Sequence, residues 1–129
     1  MTGGTISSNT ASENGGGFNN NDGTIFKLEN GSVTKNSGKS GAGVTNWRAT
    51  FSMTGGSITL NTGTYCGAGV DTNGEVGFPG IFNLSGGLIQ NNTTSASNGG
   101  GICKGSNGVL NKTGGTVSSN APNDIFLAP

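Results

Sequence analysis

The residues that could perform acid–base chemistry in this sequence are six carboxylates, and no two of them are close neighbours along the chain. Hydrolysis of a glycosidic bond needs two carboxylates, one on each side of the scissile bond. Asp71 and Glu75 are the nearest pair, and they lie in the longest segment of variable length rather than in a predicted strand. Histidine is absent. We therefore predict that the chain is not an enzyme, and that it carries no cofactor.

Glycine-rich segments could hold a metal ion or a phosphate group, but the spacing here fits neither. Gly-(Gly/Ala)-Gly triplets recur at residues 15–17, 41–43, 67–69 and 99–101. Calcium-binding rolls need an Asp after each glycine group, and phosphate cradles need a Lys-Ser/Thr pair. Because the triplets carry neither, we predict that they are chain corners, where glycine accepts a positive φ.

Composition excludes several classes of partner. The net charge is zero, with six basic and six acidic residues scattered along 129 positions. Such a chain has no positive patch for nucleic acid, and it has no apolar run long enough for membrane insertion. Only 29% of the residues are hydrophobic and 9% are charged. This is too little apolar surface for an ordinary globular core and too little charge for a self-repelling disordered chain, so a fold with a thin core is expected.

One phrase recurs five times and predicts the architecture. It starts at residues 1, 28, 53, 84 and 112, as in Met-Thr-Gly-Gly-Ser-Ile at 53–58, and the spacings are 27, 25, 31 and 28 residues. Periods of this length are typical of solenoids, in which each repeat is one coil. We predict an all-β, right-handed parallel β-helix of about five coils with three short strands per coil. Its handedness follows from the strong preference of parallel crossovers. Residues 1–129 would form a single solenoid without obvious caps.

Stacked coils place equivalent residues above one another, at about 4.8 Å. Apolar residues at fixed positions of the phrase are therefore predicted to form core columns: Ile6, Phe26, Leu28, Val33, Phe51, Met53, Ile58, Phe82, Leu84, Ile89 and Val117. An asparagine follows the central Ile or Val of every repeat by three places: Asn9, Asn36, Asn61, Asn92 and Asn120. Side-chain amides can satisfy backbone groups at a bend and one another, so we predict a buried asparagine ladder.

The recurring motifs Gly-Gly-Gly-Ile at 99–102 and Ile-Thr-Leu-Asn at 58–61 resemble the Gly-Gly-Ala-apolar and Phe-x-x-Asn pairs of bacterial surface β-helix proteins. These include adhesins, autotransporter passengers and the polymorphic outer membrane proteins. The likeness spans nearly the whole chain. It implies an extracellular or cell-surface location and adhesive or scaffolding work, and it implies no particular ligand or site residue.

Two surfaces are candidates for binding. Trp47, Arg48, Tyr65 and Phe78 lie in variable turns and are predicted either to form a patch for a glycan or protein partner or to fold back over the coil. Hydroxyl residues flank the central Ile or Val of most repeats: Thr5 and Ser7, Ser32 and Thr34, Ser57 and Thr59, and Thr116 and Ser118, with Leu88 and Gln90 in the fourth coil. These columns are similar to ice-binding faces, and they also suit ordinary exposed strand positions.

Cys66 and Cys103 are the only cysteines, and they fall in neighbouring repeats. They differ by five repeat positions, which is on the order of 15 Å along an extended strand and beyond the reach of a disulfide. The sequence therefore predicts two free thiols, unless the insertion at residues 71–80 distorts the register.

Three hypotheses for function follow. The first is a non-catalytic structural or adhesive module outside the cell, with a host or glycan surface as its partner. The second starts from the matching repeat phase and missing caps at the two ends, which indicate either a segment of a longer array or a subunit that pairs with itself head to tail in a filament. The third is an ice- or carbohydrate-binding face.

Overall fold

The computed structural model describes residues 1–129, which form short β-strands joined by turns. The strands are β1 (Thr5–Ser7), β2 (Phe18–Asn21), β3 (Ile25–Leu28), β4 (Ser32–Thr34), β5 (Ser37–Ser40), β6 (Val44–Trp47), β7 (Thr50–Met53), β8 (Ser57–Thr59), β9 (Thr62–Cys66), β10 (Val70–Asn73), β11 (Gly80–Leu84), β12 (Leu88–Gln90), β13 (Thr93–Thr94), β14 (Ile102–Lys104), β15 (Gly108–Lys112), β16 (Thr116–Ser118) and β17 (Ile125–Leu127). The chain has no helix that could cross a membrane.

Every pair of neighbouring strands is parallel, and the strands stack as about five coils that begin at β1, β4, β8, β12 and β16. This confirms the parallel β-helix. The first sheet has the order β1-β4-β8-β12-β16, the second β17-β14-β10-β6-β2 and the third β15-β11-β7-β3. The repeat phrase therefore sets the register between coils.

A fourth sheet, of order β13-β9-β5, was not anticipated from the sequence. The sequence pattern predicted three strands per coil, whereas the three middle coils have four. The additional strands have sequences such as Ser-Gly-Lys-Ser at 37–40, which contain few apolar residues. Because strand prediction relies on apolar alternation, such segments give no signal.

The core is one continuous cluster of apolar side chains inside the coils. Of the predicted core residues, eight are completely buried: Leu28, Val33, Phe51, Met53, Ile58, Phe82, Leu84 and Ile89. Ile6, Phe26 and Val117 belong to the outer coils and pack against this cluster while partly exposed. Phe26, Phe51 and Phe82 stack with ring centroids 5.3 and 4.6 Å apart, and Phe18 extends the stack at 4.1 Å from Phe26.

The predicted asparagine ladder runs through all five coils. In the first four coils, the backbone N–H and Nδ2 of the ladder asparagine donate to Oδ1 of the asparagine in the next coil, at 2.9 to 3.1 Å. Nδ2 also donates to a backbone carbonyl of the preceding coil, as from Asn61 to Val33 at 3.1 Å. The residue before each ladder asparagine has a left-handed backbone, with φ between 56° and 59°. Such a conformation is costly for residues other than glycine, so the ladder stabilises a bend that the local sequence alone does not favour.

Candidate ligand-binding face

The outward face of the second sheet gathers polar side chains from three successive coils. Phe18, Val44 and Val70 are paired across β2, β6 and β10 and point toward the core, so the next residue of each strand points outward. This places Asn19, Thr45 and Asp71 side by side in one row along the rod. A second outward row, two positions later, contains Asn21, Trp47 and Asn73.

These rows border a hollow of about 340 Å³, which we call the Asn-rich hollow. It is lined by Asn14, Asn19, Asn21, Thr45, Trp47 and Asp71. The three asparagines are exposed, Trp47 and Asp71 are half-buried, and Thr45 is buried. The hollow therefore offers amides, one hydroxyl, one indole and one carboxyl group to a ligand.

Most of the hydrogen-bonding capacity of the hollow is unused within the protein. The lining side chains make two hydrogen bonds: the Ser40 N–H donates to Asn14 Oδ1 at 3.3 Å, and Thr45 Oγ1 donates to the Ser40 carbonyl at 3.0 Å. The side chains of Asn19, Asn21, Trp47 and Asp71 have no partner in the chain.

Asparagines that point inward from the same strands behave differently. Nδ2 of Asn20 donates to Asn46 Oδ1 at 2.8 Å and to the Thr50 carbonyl at 3.0 Å. Nδ2 of Asn46 donates to Thr72 Oγ1 and to the Ile81 carbonyl, both at 3.0 Å. The inward amides are thus committed to the fold, whereas the outward amides of Asn19 and Asn21 remain free for a ligand; Oδ1 of Asn73, in the same outward row as Asn21, accepts from the Gly74 and Asn107 N–H groups at 2.9 and 3.3 Å.

Asp71 is the one ionisable group that lines the Asn-rich hollow. It lies between Thr45 and Cys103 in its row. Desolvation raises the pKa of Asp71 to about 7, because no hydrogen bond or cation compensates its loss of water. In mildly acidic solution the carboxyl group is therefore protonated and can both donate and accept hydrogen bonds.

Cys66 and Cys103 form a disulfide with a Cα–Cα distance of 5.7 Å, so the prediction of two free thiols was wrong. That prediction measured their offset along an extended strand, whereas the chain turns sharply at Gly67, where φ is +54°. One coil earlier, Thr45 reaches back to hydrogen bond with Ser40, five residues before it, across the equivalent turn. The turn thus brings residues five positions apart into contact, and the register then places Cys103 beside Asp71.

The disulfide also bears on metal binding. Both sulfur atoms and a carboxylate oxygen of Asp71 lie within 4.8 Å of one another. Thiolates bind metal ions, but a disulfide does not supply them. These three groups could therefore hold a metal ion only in the reduced protein.

The four residues predicted as one partner patch lie in three different places. Trp47 lines the Asn-rich hollow, Tyr65 lines a hollow of about 230 Å³ over the disulfide, and Arg48 and Phe78 line a third hollow of about 390 Å³. Trp47 lies in β6 and Tyr65 in β9, whereas Arg48 and Phe78 lie in turns, so the four side chains do not form one patch. Asn19 and Asn21 were not singled out as site residues, although alternation from the inward Phe18 could have placed both on the surface.

Arg48 is held by two carboxylates at the corner after β6. It forms ion pairs with Asp22 and, at 3.1 Å, with Glu75, and hydrogen bonds with these two carboxylates raise the pKa of Arg48 above its usual value. Phe78, which is exposed, is fixed to Glu75 by two backbone hydrogen bonds of 2.9 and 3.1 Å. The positive charge of Arg48 is therefore matched within the protein and is not free for an anionic ligand.

The hydroxyl columns lie on the outward face of the first sheet, in the register that the repeats predict. Leu88 and Gln90 interrupt them in the fourth coil. The hydroxyls of Thr34 and Thr59 lie 3.1 Å apart and hydrogen bond with each other. Part of this face is thus used within the protein.

Comparison with known proteins gives no further guide to the site. The chain shows no match to a protein-family model, to a curated protein or to a solved structure.

Proposed function

We propose that this chain is a non-catalytic structural and adhesive module that works outside the cell or at its surface. The observation that carries the proposal is the disulfide between Cys66, at the end of β9, and Cys103, in β14 of the next coil. Disulfides persist in oxidising compartments and are rare in the reducing cytosol. With both cysteines almost completely buried, at 7% and 2% exposure, this one is a structural cross-link between coils.

The surface supports binding rather than catalysis. Asp71 lines the Asn-rich hollow without a second carboxylate, and acid–base hydrolysis of a sugar needs two. Arg48 is already paired with Asp22 and Glu75. A rigid scaffold with free amide side chains on one face is the arrangement expected of an adhesive module.

The asparagine ladder favours such a module over a head-to-tail filament. Asn120, in the last coil, donates its backbone N–H and its Nδ2 to the carboxylate of Asp124 in that same coil. To continue the ladder into a second copy of the chain, Asn120 would have to give up both hydrogen bonds. We therefore place the filament second.

Surface labelling of intact cells tests this proposal. Antibodies raised against the purified chain should label unpermeabilised cells of the source organism, while antibodies against a cytosolic protein should label them only after permeabilisation. Labelling of this chain only after permeabilisation would contradict the proposed location.

A further inference from the structure

We infer that the Asn-rich hollow is a binding site for an uncharged, linear oligosaccharide. This inference rests on the proposed adhesive function and names the ligand class of that function. It follows from three features of the hollow: its unused hydrogen-bonding groups, its lack of positive charge and the direction of its rows.

The hydrogen-bonding groups suit sugar hydroxyls. Each sugar hydroxyl donates one hydrogen bond and accepts others, so its best partners are groups that offer both roles. The free side-chain amides of Asn19 and Asn21 offer both, and the indole of Trp47 adds a donor and an apolar surface. The volume of about 340 Å³ lies within the range of small-molecule sites.

The charge of the hollow selects against anionic ligands. No Lys or Arg lines it, and Arg48, the residue after Trp47, is neutralised by two carboxylates. A phosphate, sulfate or uronate would therefore meet no cation and, above neutral pH, would be repelled by Asp71. The ligand class that remains is a neutral sugar.

The rows give the ligand a direction. Asn19, Thr45 and Asp71 follow one another along the axis of the rod, with Asn21 and Trp47 parallel to them. Successive coils are separated by about 4.8 Å, so equivalent groups repeat along a line rather than around a point. An extended chain of sugar residues can contact three coils at once.

The test uses the purified, disulfide-bonded chain and the fluorescence of Trp47, which is the only tryptophan and so reports on the hollow alone. The probes are four uncharged oligosaccharides, namely cellohexaose, xylohexaose, mannohexaose and chitohexaose, with polygalacturonate as the charged comparison. At least one uncharged probe should change the fluorescence saturably, with binding confirmed by calorimetry.

Two variants locate the binding. Asn19→Ala and Asn21→Ala should each weaken it by about fivefold or more, as expected for loss of one hydrogen bond. The matched control is Asn111→Ala, which removes an exposed asparagine from a different sheet, where it contacts Asn83. Circular dichroism and thermal unfolding would verify that the three variants remain folded.

The inference is overturned if none of the uncharged probes binds, if only polygalacturonate binds, or if Asn19→Ala and Asn21→Ala bind as well as Asn111→Ala. Surface labelling of intact cells tests the proposed location independently of saccharide binding. Labelled cells without saccharide binding would reject the hollow and leave the proposed function, whereas binding without labelling would reject the surface location and keep the saccharide site.

Discussion

The backbone N–H and the side-chain amide of Asn120 both donate to Oδ1 of Asp124, at 2.9 Å in each case. In the coil before, Asn92 makes the same two hydrogen bonds to Oδ1 of Asn120, at 3.0 and 2.9 Å. Asp124 thus occupies the acceptor position that an asparagine of a following coil would fill. The Asp124 carboxylate oxygen therefore accepts the hydrogen bonds of both Asn120 donors.

Replacement of Asp124 should show how much its hydrogen bonds with Asn120 stabilise the fold. Asp124→Ala removes the acceptor of two donors, and we expect the free energy of unfolding to fall by about 1–2 kcal/mol. Asp124→Asn keeps an oxygen at the same position and should change it by less than about 0.5 kcal/mol. Denaturant unfolding measures both, and equal stability of the two variants would show that the contact contributes nothing.

Within the ladder the effect should be larger. Asn61 is fully buried, accepts from Asn36 and donates to Asn92 and to the Val33 carbonyl. Asn61→Ala would leave several buried polar groups without partners, so we expect a loss of about 3 kcal/mol or more in the free energy of unfolding. Asn111→Ala, at an exposed position, is the control. A loss no greater than that of the control would mean that the ladder does not stabilise the coils.

The last glycine of each triplet packs against this ladder. A Cβ at Gly69 would lie 2.5 Å from the Gly101 carbonyl oxygen and 3.0 Å from Nδ2 of Asn92. Gly69→Ala should therefore push adjacent coils apart and lower the midpoint of thermal unfolding, at a cost of about 2 kcal/mol. At Gly3 an added Cβ meets nothing within 4 Å, so Gly3→Ala is the control. If both variants melt like the original protein, the close approach of Gly69 to the next coil is incorrect.

Stability should fall as the pH rises toward neutrality, because of Asp71. Its pKa is about 7 in the folded protein and 3.8 for an ordinary Asp side chain, so between these values the folded state binds the proton more tightly. With respect to this group, the free energy of unfolding is highest below about pH 4, decreases as the pH rises to about 7 and is constant above that, a loss on the order of 4 kcal/mol in all.

Several groups contact or face Asp71. Thr45 and Cys103 flank it in its row, the disulfide lies beside it, and Tyr65 lines the adjoining hollow. Asp71→Asn should flatten the pH dependence of the free energy of unfolding, while Glu29→Gln, at an exposed position, should not. A slope that persists unchanged in Asp71→Asn would assign the dependence to another group.

Much of the fold can be predicted from the repeated phrase. The phrase predicted the parallel coils, the stack of Phe26, Phe51 and Phe82, and the asparagine ladder, because each depends on residues that recur at fixed positions. Because the coils stack, residues that are one repeat apart in the sequence contact each other in the structure. Features that occur in several coils are therefore predictable from the sequence.

The features that sequence reasoning missed depend on geometry within a single turn. The disulfide was missed because the corner at Gly67 folds back five residues that a linear count keeps apart. The Asn-rich hollow was missed in part because Asn19 and Asn21 resemble the committed Asn20 in sequence. The strand register is needed to tell which asparagine side chains point inward and which point outward.

The redox state of Cys66 and Cys103 in intact cells tests the central claim most directly. Cells of the source organism are quenched with acid, the protein is unfolded, free thiols are alkylated, and the two cysteine peptides are examined by mass spectrometry with and without prior reduction. An extracellular structural module predicts that both cysteines escape alkylation until a reductant is added. Alkylation of both cysteines without a reductant would contradict it, since the chain would then reside in a reducing compartment.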